Sequence, residues 1–351
     1  MSFASTPHIS VCLPVYNAQA FLSCAVESIL GQSYPHFELL VVDDGSTDAS
    51  AEILARYAAH DERVKVFSQQ NSGLVVSLNR LLHEAKAPLI ARMDADDVAL
   101  PDRFAKQIEV MQARPELAAL GGSLITIDQD GTPGARIRYP QGADLRRYAR
   151  YASPVAHPAV MMRTDLVKRA GGYRQYYRHC EDYDLWLRLL DMAEMDNLDD
   201  VLLHYRTHGS NISVAHAFAQ RMGTCVAQAV ARYRQQTGED LTPSLAEPSF
   251  EALAEIPLAH EEWVEFWIDM LPTLVHRPSV ISTARAKELA RLCDARTGAT
   301  REERKDRLYR LLLALFHLYA ARTSPQALVV LLRLFFLNPT RLCKSMCRKL
   351  L

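Results

Sequence analysis

The sequence predicts an α/β protein with a mainly parallel sheet, followed by a mostly helical carboxyl-terminal region. Three observations lead there. Between residues 8 and 120, short apolar runs alternate with amphipathic stretches of helical length, the pattern of successive β-α units. The apolar runs break off in clusters of Asp, Gly, Ser and Asn, the residues of turns and helix caps. Past residue 214 the alternation gives way to helical periodicity, interrupted by the polar stretch TGEDLTPSLAEPS, which reads as a linker.

In chain order, HISVCLPV is the first strand, and Asn17 is placed to cap a helix running to about residue 33. FELLVV is the second strand, with residues 46–48 capping a helix toward residue 59. RVKVF follows as a strand, 74–85 as a helix, PLIARM as the fourth strand, 102–112 as a helix and LAALGGSL as the strand completing the unit. Beyond Ser123, IDQDGTPGARIRY reads as a hairpin turning at Asp130-Gly131, EDYDLWLRLLDM as an amphipathic helix and VLLHYR as a strand.

With 351 residues, 49% of them hydrophobic, the chain can bury a full core. MSFASTPHIS has neither a basic start nor an apolar run of signal length, so a cytoplasmic protein is expected. The seven cysteines form no C-x-x-C pair, and Cys12 and Cys24 lie in stretches that read as core, which favours reduced thiols. The net charge of −1 is unevenly spread: residues 307–351 carry +8 without one acid, leaving −9 on the rest. An acidic body argues against nucleic-acid binding. The tail's apolar stretch, broken by Arg333, is too short to span a bilayer. With its basic flanks it reads as a segment for peripheral contact with an anionic membrane, or else as a buried closing helix or homodimer contact.

Two acidic clusters fall at strand ends, where ligands of open α/β sheets gather: DDGSTD after the second strand and MDADD after the fourth. Asp94, Asp96 and Asp97 offer hard oxygen ligands suited to Mg²⁺ or Mn²⁺, with coordination positions left for phosphate oxygens. Tyr16 is placed to stack on a base or simply to pack. Asp44 can accept a hydrogen bond from a base, while Asp43 fits turn chemistry equally well. Asn71, Ser72 and Gly73 precede a helix, where their backbone can approach a nucleotide. Glu181 and Asp182 open a helix; they either complement its dipole or supply a general base for a hydroxyl nucleophile. His157 and His208 are the histidines to watch, His208 for phosphate or metal contact.

The ordered blocks LPVYN, SILGQSYPHFELLVVDDGSTD, NSGLVVSLN, ARMDADD, PDRF, HPAVMMR, GGYR, EDYDLW and YRTHGSNIS resemble family 2 glycosyltransferases of the GT-A fold, from about Ile9 to Ser213. The resemblance implies a Rossmann-like mixed sheet binding a nucleotide-diphosphate sugar over residues 1–214, then a helical region over 215–300 and the basic amphipathic tail over 301–351. It also implies an inverting, metal-dependent transfer, with UDP the expected nucleotide, onto a glycan or lipid-linked glycan of a bacterial surface polysaccharide at the inner face of the membrane. By it, Pro14, Tyr16 and Asp44 hold the base, and Asn17, Ser72, Gly73 and Arg92 complete the donor site. Asp94 and Asp96 are the D-x-D acids with Mn²⁺ or Mg²⁺ between them and the pyrophosphate, and His208 is a third metal or phosphate contact. Asp182 is the base, with Glu181 beside it. Arg80 stands where such sequences often have glycine, so a changed donor pocket or a phosphate contact is expected there. Two other readings stay open: a catalytically silent protein of the same fold, and nucleotidyl transfer, for which no glycine-rich phosphate loop is present.

Overall fold

The computed structural model describes residues 7–208, 217–245 and 247–258. The chain divides into two compact units, Met1–Ala227 and Gln228–Leu351. Within the second, the described residues include a helix, Phe250–Glu255, capped by the Ser249 hydroxyl, which accepts from Ala252 N at 3.1 Å. The tail and most of the helical region expected after residue 214 lie outside the described residues. Among the described residues no helix is long and apolar enough to cross a membrane.

The first unit is built on β1 (Ile9–Val15), β2 (Phe37–Asp43), β3 (Val64–Ser68) and β4 (Leu89–Arg92), which pair in parallel in the order β3-β2-β1-β4. Helices α1 (Leu22–Leu30), α2 (Ser50–His60) and α3 (Leu74–Glu84) make the crossovers. Strand alternation distributes the core over two faces. Ile9, Val11, Leu13 and Val15 of β1 pack with α1, α2 and α4 (Arg103–Ala113) on one face. Cys12, Leu40 and Val42 pack on the other with α3, α6 (Thr164–Arg169) and α7 (Glu181–Leu190). A strand buried on both faces must read as a continuous apolar run, which is why β1 and β2 were legible.

Beyond β4 the sheet is more mixed than the sequence pattern suggests. The strand β6 (Leu117–Ile127) does not join β4 directly; β8 (Met161–Arg163) lies between them, antiparallel to both. HPAVMMR was not recognised as a strand because three residues are too few for a periodic signal. β9 (Glu194–Arg206) runs parallel to β6 and begins earlier than VLLHYR indicates, since its first half is interrupted by register shifts and carries four acids. The short β5 (Val98–Ala99) pairs with β9, and β7 (Pro133–Ile137) forms the expected hairpin with β6, turning at Gly131 with φ +85°. α5 (Ala143–Tyr148) follows, and α8 (Ala217–Thr237) is the first helix after residue 214 among the described residues.

Two smaller expectations need correction. Asn17 caps no helix: it sits at φ +49°, and α1 begins only at Leu22. Its Oδ1 instead accepts from Thr47 N at 2.8 Å, pinning the β1 turn to the β2 turn. Cys24 is exposed, whereas Cys12 is buried as expected, and Cys12, Cys24, Cys180 and Cys225 are free thiols.

Candidate active site

The carboxyl ends of β1, β2 and β4 converge as their parallel pairing requires, and three acidic groups meet the crevice there. The first belongs to the β2 turn. Asp43 Oδ1 accepts from Ser46 N at 3.1 Å, and Asp44 accepts from Ser72 N, Gly73 N and Gln69 Nε2 at 2.9, 2.8 and 2.7 Å. Asp48 accepts from Gln19 N and Ser50 N, both at 3.0 Å. Burial works against the Asp48 carboxylate, but its hydrogen bonds win and hold it below the usual aspartate value. Gly45 lets this knot close: it has φ +75°, and a Cβ there would lie 2.8 Å from Asn71 N. The turn thus brings Asp44, Ser72 and Gly73 together, while Tyr16 projects beside it, 52% exposed, and Pro14 is buried within β1.

The second group follows β4. Ligand oxygens of Asp94, Asp96 and Asp97 lie within 4.8 Å of one another. Asp94 is ion-paired with Arg92, and Asp96 Oδ2 lies 2.9 Å from His208 Nε2. Asp97 is fully buried; its Oδ1 accepts from Arg206 N at 2.8 Å, while its Oδ2 has no hydrogen-bond partner among the described residues. Burial, then repulsion from Asp94 and Asp96, pushes the Asp97 carboxyl well above the ordinary range; burial and Asp94 raise Asp96, with His208 opposing. Crowded hard oxygens, one of them buried and unpaired among the described residues, are what a divalent cation relieves, so this donor set fits Mg²⁺ or Mn²⁺. His208 stands at the cluster as expected, with its ring stacked on Phe21 at 5.5 Å.

The third group opens α7. Glu181 is buried and Asp182 half-buried. Burial and then the charge of Asp182 raise Glu181 to about 7. Burial also raises Asp182, against backbone hydrogen bonds and Arg92. The buried Arg92 guanidinium lies within electrostatic reach of Asp94, Asp97, Glu181 and Asp182, and so links the β4 cluster to α7. Its Nε has no hydrogen-bond partner among the described residues. His157 lies beneath this region as a core residue: Nε2 is 2.9 Å from Tyr173 Oη, and burial pushes its pKa well below 6.5, so it is neutral.

Several residues escaped the sequence reading. Arg206 donates from Nε to Asp96 O at 2.8 Å and from Nη1 to Asp128 O at 2.9 Å, and its guanidinium covers Phe21. Arg103, buried, donates to Arg92 O at 2.8 Å. Both stand in blocks already singled out, YRTHGSNIS and PDRF, but an arginine's partners cannot be read from its neighbours in sequence. Arg80 donates to Ser68 O at 2.9 Å and Gln69 Oε1 at 3.1 Å, so it braces the β3 end.

The "Glycosyl transferase family 2" model matches residues 10–170. The O-antigen biosynthesis glycosyltransferase WbnJ of Escherichia coli is 33% identical over 215 residues, covering 60% of this chain and 84% of that protein. The chain belongs to glycosyltransferase family 2. The amylovoran biosynthesis glycosyltransferase AmsE of Erwinia amylovora is 35% identical over 201 residues, 56% of this chain and 75% of that protein. Among solved structures, S. aureus TarS 1-349 in complex with UDP aligns at TM-score 0.53 and 16% identity, covering 97% of this chain and 91% of that fragment. The same fragment with UDP-GlcNAc also aligns at TM-score 0.53. At that identity the likeness establishes the fold, which is GT-A. This family 2 glycosyltransferase therefore carries its acids on a GT-A frame.

Proposed function

We propose that this glycosyltransferase is inverting and metal-dependent, moving a sugar from a nucleotide-diphosphate sugar, with UDP the favoured nucleotide, to an acceptor hydroxyl. The observation that carries the reading is the meeting of the Asp94, Asp96 and Asp97 oxygens at the end of β4, joined through Arg92 to Asp182. Asp94 and Asp96, with His208 beside them, would hold Mn²⁺ or Mg²⁺. Bound there, the ion would supply positive charge to the leaving diphosphate. Pro14, Tyr16 and Asp44 frame the base, and Asn17, Ser72, Gly73 and Arg92 complete the donor side. Asp182, half-buried and raised by burial, is poised to take the acceptor proton as the new bond forms, with Glu181 beside it to position the substrates. One displacement from the face opposite the leaving group inverts the anomeric centre.

The WbnJ and AmsE names support a role in a bacterial surface polysaccharide; the proposed acceptor is a glycan or lipid-linked glycan at the cytoplasmic face of the inner membrane. On this reading the basic tail makes a peripheral membrane contact; loss of liposome pelleting on deletion after Ser324 is the expected result, and unchanged pelleting would refute it. For the chemistry, UDP-, GDP- and dTDP-sugars are offered with Mn²⁺ or chelator while thermal shift and nucleoside diphosphate release are followed. Stabilisation and slow release with one donor, abolished by chelator, are expected. The same response in chelator would remove the metal from the reading.

A further inference from the structure

A group of tyrosines outside the donor machinery lies on the loop that Tyr183, the residue after Asp182, ties to α7. Tyr139 follows β7, Tyr148 ends α5, and Tyr151 packs on Tyr148 with ring centroids 5.0 Å apart and planes at 59°. Tyr183, the residue after Asp182, donates its hydroxyl hydrogen to Ala149 O, the residue after Tyr148, at 2.6 Å. The loop is clamped at both ends by Asn197, whose Nδ2 donates to Pro140 O at 2.7 Å and Pro154 O at 2.9 Å. Gln141 Nε2 returns a bond to Asn197 O at 2.7 Å. The rings are thus held by two elements rather than left on a free loop. Burial raises the Tyr139 phenol, with Tyr148, Asp182 and Tyr205 adding to the effect in that order, which sets these groups within electrostatic reach of one another. Tyr139, Tyr148 and Tyr151 are half-buried, and their hydroxyls have no hydrogen-bond partner among the described residues.

We propose that Tyr139, Tyr148 and Tyr151 form a subsite for a pyranose ring of the acceptor, next to Asp182. This deepens the reading above and rests on it. A pyranose presents a face of C–H bonds to an aromatic ring and a rim of hydroxyls to polar groups, and this loop offers both ring faces and unpaired phenols. An aliphatic chain would gain little here: the loop's outward positions 144, 146, 147 and 150 are charged and exposed. The occupant proposed for the rings is therefore a carbohydrate rather than a lipid chain; a phosphate drawn by Arg146, Arg147 or Arg150 is the outcome that the phosphate probes below would register.

Saturation-transfer NMR on the full chain tests this, irradiating aromatic protons with and without UDP-sugar. The probes are methyl glycosides of glucose, galactose, mannose and N-acetylglucosamine, with glycerol 3-phosphate and farnesyl phosphate as competing acceptor types. Saturation reaching the C–H protons of at least one pyranoside is expected, retained in Tyr148→Phe and reduced about tenfold in Tyr148→Leu. The donor-induced thermal shift, measured in the same samples, reports fold and donor site in each variant. No saturation of any pyranoside, saturation undiminished in Tyr148→Leu, or saturation of a phosphate probe alone would overturn the subsite. Absence of any donor-induced shift would instead overturn the nucleotide-sugar reading, so the two failures are separable.

Discussion

The acids of the β2 turn and those after β4 look alike in sequence and behave oppositely in the fold. In DDGSTD each carboxylate accepts from backbone or amide N–H groups, so its charge organises the turn. In DADD the carboxylates crowd one another, one oxygen of Asp97 is buried without a partner among the described residues, and burial and repulsion raise Asp96 and Asp97. Acidity alone therefore does not mark a metal site; what marks it is negative charge that the protein leaves uncompensated.

The comparison can be broken most directly at the chemistry. Asp96→Asn should lower transfer by about a thousandfold and abolish metal-dependent stabilisation, yet leave the metal-free melting temperature unchanged or raised, because it relieves repulsion. A fall in metal-free stability would show that Asp96 is scaffold, like Asp48. Asp182→Asn should lower transfer by about 10²–10⁴ while the donor-induced thermal shift persists, and an unaffected rate would remove Asp182 as base.

Glu181 sharpens the contrast through pH. Its proton is held to about 7 in the folded protein against an ordinary value of 4.5, so folding binds protons between those limits. Stability should accordingly fall as pH rises from 4.5 to 7, and Glu181→Gln should flatten that slope, gaining at most about 3 kcal/mol at the upper end. Denaturant melts of both proteins across this window would show parallel curves if Glu181 were not raised.

The scaffold acids should respond in stability alone. Gly45→Ala combines a left-handed backbone with a clash against Asn71 N, and should cost about 2–3 kcal/mol. Asp48→Ala removes two backbone contacts and should cost about 1 kcal/mol, with metal-dependent stabilisation intact.

Much of this protein was determined by sequence alone. The strands β1, β2 and β4 are buried on both faces, so their largely apolar runs are visible, and the acids at the ends of β2 and β4 could be assigned to one crevice by the parallel crossover rule. Asp94 and Asp96 stood out at such a strand end, whereas roles for Asp182 and His208 came from the family resemblance of their blocks. The tertiary structure decided what lies across long separations. It placed β8 between β4 and β6, joined Arg206 to Asp96 and Asp97, set Arg92 between the D-x-D acids and α7, turned His157 into the core, and tied the loop of Tyr148 and Tyr151 to α7 through Tyr183. Periodicity reports only which face of its own element a residue occupies. Whether a carboxylate there is satisfied or left hungry for a cation depends on donors supplied from elsewhere in the chain, and only the folded packing brings them or withholds them.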